Sequence, residues 1–218
     1  MRTHTFWKTL GLTLAFACAA WSQAAGSPVG VFTSSGDVGV TPKAGSTEYN
    51  AATGEYRITG GGANIWAAVD AFQFVWKTLS GDLTLTADIQ FLGAGAQEHR
   101  KAVLMVRQDL TPGSAYADLA LHGVGLTSLQ YRLAAGAQTL ETQSTFNGST
   151  ANGPVRVTLQ RRGDNYTVSI GKPGGEMTSI GPQTVALKDP VYVGIGVCSH
   201  DANVLETAVF SNVKIVQP

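Results

Sequence analysis

The densest group of reactive side chains lies between residues 99 and 132, in a chain of 218 residues that is only 14% charged. Polar and apolar residues alternate there in three consecutive stretches, RKAVLMVRQ, AYADLALHG and TSLQYRL, which predicts β-strands with one apolar face. Because consecutive strands usually pair, we expect one sheet face to present cationic donors, a carboxylate, an imidazole, an amide and a phenol. The residues of this polar face are Lys101, Arg107, Tyr116, Asp118, His122, Gln130 and Arg132.

The polar face has three interpretations. It is a solvated surface with weak cross-strand ion pairs, a groove that binds a ligand, or an internal ion network of Lys101, Arg107 and Asp118. Apolar residues such as Val103 and Met105 alternate among the polar ones, where a plain solvated face would carry more Ser, Thr, Lys and Glu. This pattern favours the groove.

Aromatic residues extend the predicted groove. Forked donors and aromatic rings together suit the hydroxyl and carboxylate groups of sugars. Trp66 follows a glycine-rich turn, where it would be either a stacking platform for a sugar ring or a lid over the end of the sandwich. Phe72 and Phe74 alternate in the next strand, and we expect both to be core residues. The predicted ligand-binding set is therefore Trp66 together with the polar face.

The spacing of the acidic residues gives little support to catalysis. Retaining glycosidases need two carboxyl groups about 5–5.5 Å apart. None of the six glutamates has an acidic partner at the spacing typical of laminarinases, although Asp118 and Glu206 would form a pair if their strands met. Motifs for a serine nucleophile, a phosphate loop or a dinucleotide do not occur. We therefore predict no catalytic residues.

Metal ligation has only fragmentary support in the sequence. Cys198 and His200 supply half of a zinc site, and no second half is visible. We predict no cofactor, with calcium as the one candidate ion and its site unassigned. The predicted loop residues whose oxygens would bind calcium are Asp70, Asp82, Asp201 and Asn203.

The rest of the chain indicates how these residues are held. Period-two alternation recurs in stretches such as DLTLTADIQF, PVRVTLQRRGDNYTVSIG and PVYVGIGVCSH, which are separated by Gly, Pro, Asn or Asp. Roughly a dozen strands with no convincing helix and no linker predict one all-β sandwich domain over residues 27–218. We expect loops at 93–98 and 146–153.

The first 26 residues have the pattern of a secretory signal peptide, with basic residues, an apolar run and then small residues. The run is too short to span a membrane, so we predict a secreted or periplasmic protein with no membrane span after cleavage. A lipoprotein anchored through Cys18 is the alternative. If Cys18 is removed, Cys198 stands alone, and we expect it to be a buried residue at a strand end.

Five short motifs stand out along the chain: Gly-Gly-Gly-x-x-Ile-Trp (60–66), Ser80-Gly81-Asp82, Lys101-Ala102, Met105-x-Arg107 and Tyr116-x-Asp118. With these motifs the chain resembles the DUF1349 family of bacterial extracellular domains, which belongs to the concanavalin A-like lectin/glucanase superfamily. The resemblance covers nearly all of residues 27–218 and implies a two-sheet jelly roll with a curved sheet. Members commonly have Asp where this chain has Asn64, which weakens the case for a metal site on Asn64 and Asp70.

These observations predict a secreted, noncatalytic, lectin-like module that binds a carbohydrate or another polyhydroxyl ligand on the polar, concave sheet face. The alternatives are a glycan-cleaving hydrolase of the same fold and a periplasmic structural module that binds a protein partner. Equal numbers of basic and acidic residues, 15 of each, argue against a nucleic-acid partner.

Overall fold

The computed structural model of the protein describes residues 29–218. The predicted signal peptide at 1–26 and Cys18 lie outside the described residues. Among the described residues, no helix is long and apolar enough to cross a membrane. The strands are β1 (Ser34–Val38), β2 (Ser46–Asn50), β3 (Glu55–Gly60), β4 (Ile65–Trp66), β5 (Val69–Asp70), β6 (Phe72–Leu79), β7 (Leu83–Leu92), β8 (Lys101–Arg107), β9 (Tyr116–His122), β10 (Thr127–Arg132), β11 (Leu140–Gln143), β12 (Val155–Arg162), β13 (Asn165–Gly171), β14 (Met177–Thr184), β15 (Val191–Cys198) and β16 (Glu206–Val216).

The strands form two antiparallel sheets of seven strands each, and β4 and β5 pair as a separate ribbon. The first sheet, which we call the pocket sheet, has the order β1-β6-β15-β8-β9-β10-β11. The second, which we call the back sheet, has the order β14-β13-β12-β7-β16-β3-β2. Their inner faces pack together around one hydrophobic core. The prediction of an all-β, two-sheet sandwich is confirmed.

Period-two alternation explains which side of each strand enters this core. In β7, Leu83, Leu85 and Ala87 are fully buried, while the threonines between them are partly exposed. β12 and β13 form a hairpin, in which Arg162 pairs with Asn165 next to the turn. Residues 29–218 form sixteen strands where the sequence predicts roughly a dozen, because two-residue strands such as β4 and β5 are too short to show a period.

The outer face of the pocket sheet is also buried at its centre. Val103 and Met105 of β8 belong to a second apolar cluster on that face, together with Ile65 of the ribbon. Phe72 and Phe74 are fully buried in the same cluster, which confirms that they are core residues. The interpretation of this face as a plain solvated surface is therefore wrong.

A single buried carboxylate holds the ribbon against the outer face. Arg132 donates to both oxygens of Asp70 in β5, at 2.7 and 2.9 Å, and Arg107 donates to one of them at 3.5 Å. The side chains of all three residues are fully buried. An internal ion network is thus present, but its carboxylate is Asp70 and not Asp118, and Lys101 is not part of it.

The same network determines the chain path beside Trp66. Arg132 donates to the carbonyl oxygens of Ala67 and Ser114, each at 3.0 Å. Ala67 has a φ of 51°, an unfavourable backbone conformation for a residue with a side chain. Thr139 also donates to the Ala67 carbonyl, through its backbone N–H at 2.9 Å and its hydroxyl at 3.0 Å. These hydrogen bonds stabilise the turn that follows Trp66.

Asp70→Asn should lower the free energy of unfolding by about 3–5 kcal/mol, because it leaves two buried guanidinium groups without a counter-charge. Chemical denaturation measures this loss. Arg156→Gln is the matched control, since it breaks the Arg156–Asp88 pair, in which the Arg156 side chain is 35% exposed and Asp88 keeps a hydrogen bond from Asn212 at 2.8 Å. We expect a loss of about 1 kcal/mol or less there. Equal losses in the two variants would contradict the role given to Asp70.

Candidate functional site

A pocket of about 370 Å³ opens on the outer face of the pocket sheet. We call it the histidine pocket, because three imidazoles line it together with an ammonium group, a carboxylate, three amides and an indole. The lining residues are Asn64, Trp66, His99, Lys101, His122, Leu126, Gln130, Glu141, Gln143 and His200.

Neighbouring strands assemble the floor of this pocket. Lys101 begins β8 and lies directly opposite His122, the last residue of β9. On the other side of β9, Gln130 of β10 lies opposite Asp118 of β9. Gln130 also lies opposite Glu141 of β11, the next strand along. Residues that are directly opposite in antiparallel strands point to the same face, as do residues four apart in one strand. These five side chains therefore share the outer face.

Loops bring the other two histidines to the same place. His99 lies in the loop before β8, and His200 lies two residues after β15, with a φ of 61°. The ring centroid of His99 is 5.3 Å from that of His122 and 5.6 Å from that of His200. Three histidines that are distant in sequence thus form one cluster.

His99 and His200 are outside the predicted site set because neither lies in an alternating strand. These residues come together through the order of the strands in the sheet, and that order cannot be read from the sequence. Cys198 at the end of β15 pairs with Lys101 at the start of β8, so a residue two positions later lies beside the same strand end. Asn64, Glu141 and Gln143 were missed for the same reason.

Several buried polar atoms in the pocket lining or next to it have no hydrogen-bond partner among the described residues. These atoms are both carboxyl oxygens of Asp118, both ring nitrogens of His122 and Oε1 of Gln130. Buried polar groups in folded proteins nearly always have partners, and an unsatisfied one costs about 1–3 kcal/mol. Their concentration in three neighbouring side chains indicates a site at which partners come from outside the chain.

Burial also shifts the protonation equilibria of the floor. Burial raises the pKa of the Asp118 carboxyl well above its usual range, against the opposing effect of the Lys101 charge. It lowers the pKa of the Lys101 ammonium and lowers the pKa of His122 to about 3. His122 is therefore neutral at pH 7, so its ring offers one hydrogen-bond donor and one acceptor.

The structure divides the predicted ligand-binding residues into two groups. Trp66, Lys101, His122 and Gln130 line the histidine pocket. Tyr116 and the two arginines lie at the opposite end of the same strands and have no exposed surface.

The polar atoms of that second group form hydrogen bonds and ion pairs with other residues of the protein. Arg107 and Arg132 bind Asp70, and the Tyr116 hydroxyl forms a 3.0 Å hydrogen bond with Thr139. Asp118 lies between the two groups and is fully buried. Direct contact of these four predicted residues with a ligand stays a prediction.

Residues that the sequence suggests as metal ligands take part in other interactions. Among residues 29–218, no group of three or more His, Cys, Asp or Glu side chains is placed to hold a metal ion. The Cys198 thiol donates to the Gly62 carbonyl at 3.5 Å, and burial raises its pKa to about 11. Cys198 is fully buried at the end of β15, as predicted. Asp82 accepts a hydrogen bond from the Gly163 N–H at 2.8 Å.

No family model matches the chain, and no curated protein matches it. Solved structures match its fold. The carbohydrate-binding module CBM66 from Bacillus subtilis is 14% identical with a TM-score of 0.54, covering 86% of this chain and 98% of its own. Lectin II from Ulex europaeus is 10% identical with a TM-score of 0.53, covering 79% and 90%. A β-glucanase from Bacillus licheniformis is 10% identical with a TM-score of 0.50, covering 79% and 82%.

These similarities show the fold. The chain has the two-sheet jelly-roll sandwich fold that this carbohydrate-binding module, this lectin and this β-glucanase share. The same architecture carries binding proteins and enzymes, so the fold does not distinguish between these functions.

We expect His122 to make the free energy of unfolding fall steeply as the pH drops below 6.5, and we call this part of the pH profile the acid limb. Its folded pKa of about 3 lies below the ordinary value of 6.5, so below pH 6.5 the unfolded chain takes up a proton that the folded protein does not. The stability present above pH 6.5 is then lost as the pH falls to about 3, by about 1.4 kcal/mol per pH unit.

Denaturation at a series of pH values tests this expectation. His122→Gln should flatten the acid limb, whereas His99→Gln removes an exposed imidazole from the same pocket and should leave the limb in place. Identical limbs in His122→Gln and the unmodified protein would contradict the assignment.

Proposed function

We propose that the protein is a noncatalytic module that binds a carbohydrate, or a closely similar polyhydroxyl ligand, in the histidine pocket. The observation that carries this proposal is the set of unpartnered buried polar atoms of His122 and Gln130, two residues that line the pocket. A sugar presents several hydroxyls on a rigid ring, and each hydroxyl both donates and accepts hydrogen bonds. Such a ligand matches a floor that offers acceptors and donors side by side.

The lining residues take distinct roles in this proposal. The amide of Gln130 and the neutral ring of His122 exchange hydrogen bonds with ligand hydroxyls, and Lys101 donates to ligand oxygens. Trp66 provides an apolar ring surface against which the C–H face of a sugar packs. Arg107 and Arg132 act indirectly, because they bind Asp70 and hold the ribbon that carries Trp66.

The acidic residues favour binding over glycan cleavage. The pocket lining contains one carboxylate among the described residues, that of Glu141, whereas a glycosidase needs a pair. Asp118 lies on the same sheet face but is fully buried and does not line the pocket. Asp118 and Glu206 do not form that pair, since Asp118 lies on the outer face of the pocket sheet and Glu206 of the back sheet pairs with Arg100 at 2.6 Å. The matching structures include a lectin, a carbohydrate-binding module and a β-glucanase, so this choice depends on the acidic residues and not on the fold.

The proposal includes the setting of the protein. A cleavable leader at residues 1–26 and a secreted or periplasmic location fit a module that meets glycans outside the cytoplasm. Membership of the DUF1349 family, which the short motifs suggest, belongs to the same proposal.

A polysaccharide and glycan binding screen of the purified protein, run with calcium and with a chelator, tests the proposal. We expect a specific hit whose dissociation constant rises at least about tenfold in Gln130→Ala and in Trp66→Ala, equivalent to about 1.4 kcal/mol of binding energy. Gln160→Ala is the matched control, since Gln160 lies on the back sheet and should leave binding unchanged.

Three outcomes would contradict this assignment. Release of shortened products would indicate a hydrolase. Binding that is insensitive to Gln130→Ala and Trp66→Ala would move the site elsewhere. A blank screen on folded protein, combined with capture of a protein partner, would support the structural module instead.

A further inference from the structure

Lys101 is a buried cation without a carboxylate partner. The residue is 3% exposed, yet it lines the histidine pocket. Its ammonium group donates to the side-chain oxygen of Asn64, a neutral acceptor that also receives the backbone N–H of Ile65 at 2.9 Å. Among residues 29–218, no acidic oxygen lies within the 4.0 Å of its Nζ that would make an ion pair. Buried charges in proteins are normally paired, so this ammonium group lacks an anion.

The nearest buried carboxyl group does not supply that anion. Asp118 lies opposite Met105 and Gln130 on the neighbouring strands, not opposite Lys101. Neither of its oxygens receives a hydrogen bond from Lys101 or from any other described residue. Asp70 is also committed, because Arg107 and Arg132 share its two oxygens.

The charged groups on this face balance in number but not in position. Lys101, Arg107 and Arg132 are the basic residues, and Asp70, Asp118 and Glu141 are the acidic ones. Asp70 pairs with the two arginines, whereas Glu141 lies on β11, three strands along the sheet from β8, and forms no ion pair with Lys101 within 4.0 Å. Three imidazoles face the same cavity and add no negative charge. An anion bound beside Lys101 would form the ion pair that these groups do not.

We propose that the ligand of the histidine pocket is an acidic saccharide, and that its anionic group, a carboxylate or a sulfate ester, pairs with the Lys101 ammonium group. This inference rests on the proposed function and specifies the class of sugar. A neutral saccharide would satisfy the hydrogen-bonding atoms of His122 and Gln130 but would leave Lys101 without a counter-charge. An acidic saccharide satisfies both requirements in one pocket.

Matched neutral and acidic polymers test this inference. Polygalacturonate and its fully methyl-esterified form are the carboxylate pair, and κ-carrageenan and its desulfated form are the sulfate pair. Binding of each polymer to the purified protein is measured by affinity electrophoresis and calorimetry. We expect one acidic polymer to bind at least tenfold more tightly than its neutral counterpart. Its affinity should fall as the salt concentration rises, since ions screen the charge pair.

Lys101→Met identifies the residue responsible. It should reduce the preference for the acidic polymer at least tenfold without loss of folding, because removing an unpaired buried charge does not leave another charge exposed to the interior. A melting curve checks that the variant is folded. Lys214→Met is the matched control for diffuse attraction, since Lys214 is an exposed cation on the back sheet and its loss should leave the preference unchanged.

The outcomes separate this inference from the proposed function. If neutral and acidic polymers bind equally well and Gln130→Ala still weakens binding, the ligand is not anionic. The proposal of a saccharide site would remain valid in that case. Equal effects of Lys101→Met and Lys214→Met would overturn the role of Lys101. Absence of binding to any saccharide would overturn both proposals.

Discussion

The buried carboxylate of Asp70 is the interaction on which the rest of the site depends. It binds two guanidinium groups that have no exposed surface, and through them it joins the β4–β5 ribbon to the pocket sheet. Arg132 also donates to the carbonyl of Ala67, which lies in an unfavourable backbone conformation directly after Trp66. The ribbon therefore has little freedom. It carries Trp66, and Asn64 directly precedes it, so two lining residues of the histidine pocket are held in place.

The three neighbouring strands β8, β9 and β10 have a structural role at one end and a binding role at the other. At one end, the arginines of β8 and β10 are saturated by a carboxylate and by backbone carbonyls. At the other end, Lys101 and His122 border a cavity and have few protein partners. Stabilising one end so heavily allows the other end to keep polar groups unsatisfied in the folded state, which is the usual compromise at a binding site.

Sequence patterns predicted the sandwich and the composition of the polar face, because alternation with a period of two is a local property of each strand. They did not predict that this face is covered, since the ribbon at 65–70 is too short to alternate and its partner strands lie elsewhere in the chain. Asp70 was considered as a loop residue, and its pairing with Arg107 and Arg132 depends on contacts across 37 and 62 residues. His99 and His200 were missed because their proximity follows from strand order alone.

Histidine-selective NMR is the most direct test of the claim that ligands enter this pocket rather than the covered end of the face. His99, His122 and His200 are the histidines of residues 27–218, so few signals report on the site. On titration with the saccharide that binds most tightly, the imidazole signals of His122 should shift in proportion to occupancy, and the Trp66 indole signal should shift while that of Trp76 does not. Saturable binding with all three imidazole signals unchanged would contradict the account.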